Sequence, residues 1–266
     1  MPDAHRLAAE TARDLVRSAA TLALEFAGKV AGREKEDGSG PVTEADLAVQ
    51  AQIVAGLQAA FPEDEILGEE STEQVDLAAA RLWCVDPLDG TKEFIEGRHD
   101  YASMIGLLHN GEPVAGAFAL PACGLLFWGW RDGGAFVEEH GETRALALDV
   151  SEDPSAAIVV HTRSHPSEAL ERALQRIGPK QTVAAGSVGY KVGQILLGKA
   201  QIYVHPGPGT KWWDSVGPGG VLLGLGGALA DAGGDPLIYR DSVHHGRGLL
   251  FTAPGLHAPV VDLLRA

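Results

Sequence analysis

The chain has 266 residues, 45% of them hydrophobic, and a formal charge of -15 from 36 acidic and 21 basic side chains. That is enough apolar material to bury a full core in one large domain or two packed lobes, and it excludes a disordered chain. The negative field disfavours nonspecific binding to nucleic acid polymers or anionic membranes, so an anionic ligand needs cations supplied locally.

The opening stretch, MPDAHRLAAETARD, places charges where a signal peptide has its apolar core, and no apolar run approaches the ~20 residues of a membrane helix. A cytoplasmic protein is expected. Within residues 4–31, Ala8, Ala12, Leu15, Ala19, Leu22, Phe26 and Val30 recur at spacings of three and four, which predicts a long amphipathic helix. GREKEDGSGP is a polar loop, and PVTEADLAVQAQIVAGLQAAF opens a second helix that ends before Pro62. From Leu82 the texture changes: RLWCVD, YASMIGLLH, PVAGAFALP and GLLFWGW are short apolar runs broken by turn residues, the pattern of an antiparallel meander. Cys84 and Cys123 lie in apolar stretches without metal-ligand or redox spacing and read as small buried hydrophobes.

The second half alternates. SAAIVVHTRS, TVAAGS and AQIYVHP read as strands, SEALERALQRIG and VGYKVGQILLGK as helices, and the glycine-rich DSVGPGGVLLGLGG as a helix of poor propensity. This predicts a mixed sheet with covering helices. The division is placed near residue 150, giving a lobe over 1–150 and another over 151–266, with the site between them.

Acidic residues carry the chemistry. Asp46 in TEAD, Glu69 and Glu70 in GEE, Asp86 and Asp89 in DPLDGT, and Asp214 in WWDS each have an ordinary explanation as a helix cap or a turn. Jointly they suit a hard divalent cation, which takes several oxygen ligands. Asp86 and Asp89 can point into one pocket, and the irregular backbone at Pro87 frees the Leu88 carbonyl as a further ligand. Gly90 lets the chain approach an anion, and amides at Gly90 and Thr91, opening a helix through KEFIEG, can face a phosphate.

At these motifs the sequence resembles the lithium-sensitive, Mg²⁺-dependent phosphatase family that includes inositol monophosphatase, fructose-1,6-bisphosphatase and 3′(2′),5′-bisphosphate nucleotidase. The resemblance runs almost end to end. It implies a layered αβαβα sugar-phosphatase fold, an α/β chain with an antiparallel sheet in the N-terminal lobe and a mixed sheet in the C-terminal lobe. It implies Glu69, Asp86, Asp89, Asp214 and the Leu88 carbonyl as ligands of two or three Mg²⁺, with Asp46 and Thr91 orienting the attacking water and Glu70 nearby. Li⁺ is the expected inhibitor.

Lys92-Glu93-Phe94 after DGT, together with HTRSHPS, GSVGYK and PGTKWWD, is similar to the nucleotidase branch, which removes the 3′-phosphate of 3′-phosphoadenosine 5′-phosphate, a by-product of sulfate activation. That branch implies substrate contacts from Gly90, Thr91, Ser164, His165, Gly186, Ser187, Lys191 and Asp214, with Lys211 assisting; Gly189 stands where relatives carry serine or another polar residue. An inositol or sugar-phosphate phosphatase is the rival enzyme, and a noncatalytic scaffold the rival of another class. A small phosphorylated molecule is the expected partner, and the chain a monomer or homodimer.

Overall fold

The computed structural model describes residues 2–35, 38, 40–71 and 74–266. Helix α1 (Pro2–Phe26) buries Ala8, Ala12, Val16, Ala19 and Ala23 as one stripe, whose small side chains let it lie close to its neighbours. It stops short of the expected residue 31 because Gly28 takes a left-handed turn (φ 71°) and the Lys29 amide bonds to the Phe26 carbonyl. A two-strand ladder, β1 (Arg33–Glu34) with β2 (Pro41–Val42), follows inside the expected loop, of which residues 36, 37 and 39 lie outside the described chain. Helix α2 (Glu44–Ala60) opens on Thr43.

Seven strands then form one sheet in sequence order: β3 (Glu65–Gly68), β4 (Arg81–Asp89), β5 (Ala102–His109), β6 (Glu112–Leu120), β7 (Leu125–Trp130), β8 (Gly134–Glu139) and β9 (Glu142–Ala145), with the one-turn helix α3 (Thr91–Ile95) after β4. The expected antiparallel order holds from β4 to β9. It fails at β3, an edge strand ahead of the expected meander, which runs parallel to β4. Alternation on β5 divides the faces: Ile105 and Leu107 pack toward α1 and α2, whereas Met104, Gly106 and Leu108 face the rest of the chain.

The second sheet has the order β11-β10-β12-β16-β14. Strands β10 (Ile158–Thr162), β11 (Gln181–Ala185) and β12 (Ile202–Pro206) are parallel, linked by α4 (Glu168–Ile177) and α5 (Val188–Leu196). After the short β13 (Thr210–Lys211) and α6 (Trp212–Leu223) come β14 (Ala228–Ala230), β15 (His244–His245), β16 (Gly248–Thr252) and α7 (His257–Arg265). β16 pairs antiparallel with β12 and β14, so the sheet is mixed as expected. Helices α5 and α6 lie between the two sheets, and α4 and α7 cover the outer face of the second, which gives the αβαβα layering.

The two sheets approach through glycine. A methyl group at Gly106 or Gly116 would strike the backbone of Gly217 in α6, and one at Gly220 would strike Ala115. The poor helix propensity of α6 is therefore the condition for seating it on β5 and β6. Pro218 lies in its second turn and leaves the Asp214 carbonyl without its usual i+4 donor. Gly116→Ala is expected to lower stability by about 1–3 kcal/mol in denaturant unfolding, the usual effect of overpacking. Gly246→Ala, where the added methyl meets open space, is expected to change little.

Candidate active site

The stretch DPLDG is built around a bulge. Asp86 pairs with Met104 and Asp89 with Ala102, so three steps along β4 match two along β5. Residues three apart on a regular strand point to opposite faces. The extra residue at Pro87-Leu88 reverses that parity and puts both carboxylates on one side. Ser103 Oγ fixes the bulge by donating to the Pro87 carbonyl at 2.7 Å.

The second half of the chain completes the group. Asp214, in the first turn of α6, is held by the Lys211 amide, which donates to its Oδ2 at 2.5 Å. Carboxylate oxygens of Asp86, Asp89 and Asp214 all lie within 4.8 Å of one another. Asp89 Oδ2 also accepts bonds of 2.7 Å from Ser187 Oγ and from the Gly189 amide, at the N-terminus of α5, where partial positive charge favours an anion. Gly189 carries no side chain because a methyl there would press on Ala102 and Met104. Its role is to bring its amide to Asp89.

Burial pushes the carboxyls of this cluster up. Asp86 is raised well above its ordinary value by burial, then by Glu69, Asp89 and Asp214. Burial and the charge of Asp89 push Asp214 up to about 8. Burial pushes Asp89 up to about 6, a smaller rise because Gly189 and Ser187 stabilise its charged form. Three carboxylates so arranged fit a hard cation, which replaces mutual repulsion with shared coordination.

Other expected residues divide. Glu69 lines the same cavity beside Asp86 but is held by Lys35 at 2.8 Å, and Lys35 also pairs with Glu70 at 2.5 Å. Burial opposes the charge of Lys35, yet the two glutamates hold its ammonium above its usual range. Glu70 is outside the cavity wall, as is Asp46, which is 1% exposed. Asp46 uses its two carboxylate oxygens separately. One oxygen accepts from the Thr43 amide and hydroxyl, closing the capping box, and the other accepts from Thr91 Oγ1 at 3.0 Å. Thr91 is on the cavity wall and equally near the Leu88 carbonyl, 3.0 Å away. Gly90 is left-handed (φ 89°), and the helix after it is only Thr91–Ile95, shorter than the expected KEFIEG run because Gly97 turns the chain away.

The cavity around the cluster has a volume of about 300 Å³. Ser164, His165, Gly186, Ser187 and Lys191 all line it. Lys191 is 2% exposed, donates to the Gly186 carbonyl, and lies 4.9 Å from the Tyr203 ring centroid. Burial pushes its ammonium down to about 8, against the pull of Asp89 and Glu93. Lys211, by contrast, turns its ammonium onto the Trp213 ring at 5.0 Å; its amide bonds Asp214, and its charge is a lesser influence on that carboxyl. Cys84 is buried, whereas Cys123, in the single 3-10 turn Pro121–Cys123, is only partly buried and packs against the edge of the core, which corrects its reading as a fully buried residue.

The model of the inositol monophosphatase family matches residues 4–262. The chain belongs to this family. It is 35% identical to the 3′(2′),5′-bisphosphate nucleotidase CysQ of Escherichia coli (strain K12), over 77% of this chain and 81% of that protein. It is 29% identical to 3′(2′),5′-bisphosphate nucleotidase 1 of Dictyostelium discoideum, over 88% of each. An inositol monophosphatase from Zymomonas mobilis superposes with a TM-score of 0.79 over 99% of both chains at 25% identity. Family and relatives together make the chain a phosphatase, and none of its described helices is long and apolar enough to cross a membrane.

Four residues escaped the sequence reading. Lys35 sat in what read as a plain polar loop. Glu93, 5% exposed on the cavity wall, accepts from Ser164 Oγ at 3.2 Å. Asp100 ties the halves together: it accepts from the Gly186 amide at 2.8 Å and pairs with Arg163 at 2.6 Å. These partners are remote in sequence, and no spacing rule announces them.

The raised carboxyls have a consequence for stability. Unfolded aspartates ionise near pH 4, whereas the folded cluster holds protons up to about pH 8 at Asp214. Across that window the native state binds more protons than the unfolded one, so the cluster's contribution to stability falls as pH rises. With a chelator, the melting temperature of the wild type is expected to fall more steeply over this range than that of Asp214→Asn; parallel curves in differential scanning fluorimetry would contradict the assignment.

Proposed function

We propose that this phosphatase is a Mg²⁺-dependent 3′(2′),5′-bisphosphate nucleotidase that removes the 3′-phosphate of an adenosine 3′,5′-bisphosphate. The observation that carries the metal is the charge of the cavity wall: five carboxylates (Glu69, Asp86, Asp89, Glu93, Asp214) face three ammonium groups (Lys35, Lys92, Lys191). A phosphate dianion is repelled from such a wall unless cations join it. When bound, Mg²⁺ supplies charge neutralisation for the phosphate and acidifies a water molecule. Asp86, Asp89 and Asp214 are the residues that hold it, with Glu69 and the Leu88 carbonyl beside them.

The chain's own groups do the rest. Thr91 presents its hydroxyl to the cavity, and Asp46 behind it fixes the direction of that hydroxyl, so the pair orients the attacking water and takes its proton. Gly90 and Thr91 receive the phosphate being removed. Lys191, whose ammonium has donors left after its bond to Gly186, receives the second phosphate. The residues 1–150 then supply most of the metal and water contacts, and residues 151–266 supply Asp214 and the groups that select the substrate.

Support for a nucleotide comes from a second cavity of about 480 Å³, which shares Ser164, His165, His205 and Gly209 with the first and runs on past Pro208. Together the two offer the volume of an ordinary small-molecule site, about 300–1,000 Å³. A reading as an inositol or sugar-phosphate phosphatase leaves this extension unused. We place the protein in the cytoplasm, with Li⁺ as an inhibitor.

Two outcomes test the proposal. Phosphate release from 3′-phosphoadenosine 5′-phosphate is expected to exceed that from inositol 1-phosphate in kcat/KM, to vanish in chelator, and in Lys191→Met to lose affinity for the bisphosphate far more than for adenosine 3′-monophosphate; preference for inositol 1-phosphate would overturn the nucleotide assignment. Asp46→Asn is expected to lower kcat about 10²–10⁴-fold while the loss of stability in unfolding stays near the ~1 kcal/mol of a helix cap.

A further inference from the structure

Directly after Asp214, Ser215 begins a buried polar chain that none of the catalytic roles uses. Its hydroxyl oxygen is 2.9 Å from the Tyr239 hydroxyl, 2.9 Å from His245 Nε2 and 3.0 Å from the Trp212 carbonyl. All three side chains are buried: Ser215 is 0% exposed, Tyr239 6% and His245 5%. None of them lines the cavity, so a serine–histidine nucleophile is ruled out by access.

Their hydrogen-bonding capacities are mutually compatible, with the single Ser215 hydroxyl hydrogen shared between His245 and the Trp212 carbonyl. Burial pushes the His245 imidazole down to about 4, so it is neutral and carries a single ring N–H. That N–H serves the backbone of Lys211, which leaves Nε2 to accept from Ser215. Ser215 in turn accepts from Tyr239. Tyr239 packs its ring edge-on to Trp212 and to His245, which closes the group sterically.

The two ends of this chain of bonds flank the metal-site aspartate. Lys211 donates its amide to Asp214 Oδ2, and β13, to which it belongs, is paired with β15, which carries His245. Ser215 fixes the residue on the other side. We infer that Ser215, Tyr239 and His245 are positioning residues whose buried relay holds the Asp214 carboxylate against Asp86 and Asp89 and thereby sets cation affinity. Nothing in the relay touches substrate, so its effect is on the metal first and on turnover only through it.

This inference rests on the cation site proposed above, and the experiment separates the two. Mg²⁺ is titrated calorimetrically, without substrate, into metal-stripped wild type, Asp214→Asn, Ser215→Ala, Tyr239→Phe and Ile177→Ala. Ile177, buried in α4 away from the cavity, controls for lost stability alone. Ser215→Ala is expected to bind about 10–100-fold more weakly, Tyr239→Phe to weaken in the same direction, and Ile177→Ala to bind like wild type while melting lower. Should Ser215→Ala fail to fold, Tyr239→Phe, which removes one hydroxyl, decides the question. Wild-type affinity in the folded relay variants overturns the inference and leaves the cation site standing. A folded wild type that takes up no Mg²⁺ overturns both.

Discussion

Three carboxylates held together on the wall of one cavity form the constraint around which the rest of this protein is arranged. Asp86 and Asp89 are brought to one side by a bulge, and Asp214 arrives from a helix in the other half of the chain. Left to themselves such groups repel and favour taking up protons, the direction in which burial and mutual charge push their pKa values. The fold offsets this locally with the α5 N-terminus at Asp89 and the Lys211 amide at Asp214. What remains unbalanced is the driving force for taking up a cation.

Holding Asp214 in place requires α6 to lie against the first sheet although it belongs to the chain's second half. Gly106, Gly116, Gly217 and Gly220 permit that approach, so residues far from the cavity govern its geometry. Asp100 and Arg163 make the corresponding tie on the other side of the cavity, next to Gly186. The cavity is thus a seam between two sheets, closed by backbone contact on one side and by an ion pair on the other. Its excess of acid suits cations, and the few lysines on its wall are local positive charge that a chain of net charge -15 otherwise lacks.

Much of this was legible in the sequence. The amphipathic stripe of α1, the length of the α2 run, the meander and the later alternation were legible as patterns, while the αβαβα layering was implied by the family resemblance. DPLDGT and WWDS announced their aspartates because short stretches of chain carry the chemistry with them. The parallel edge strand β3, the late strand β16 and helix α7 were not announced, since short elements have too few periods to register. The same limit hid the partners of the site. Lys35 is paired with Glu69, Asp100 with Arg163 and Ser215 with His245 only by the folding of the whole chain. Lys211 shows the reverse error: its proximity in sequence to Asp214 suggested a cation at the site, yet its ammonium packs on Trp213.

The most direct test of the account is a crystal structure of the protein grown with Mn²⁺, an anomalous scatterer that shares the oxygen-rich coordination of Mg²⁺. The account predicts anomalous density bridged by the carboxylates of Asp86, Asp89 and Asp214, at the floor of the cavity. Density confined to other acidic surfaces, with these three carboxylates left to share protons, would contradict it.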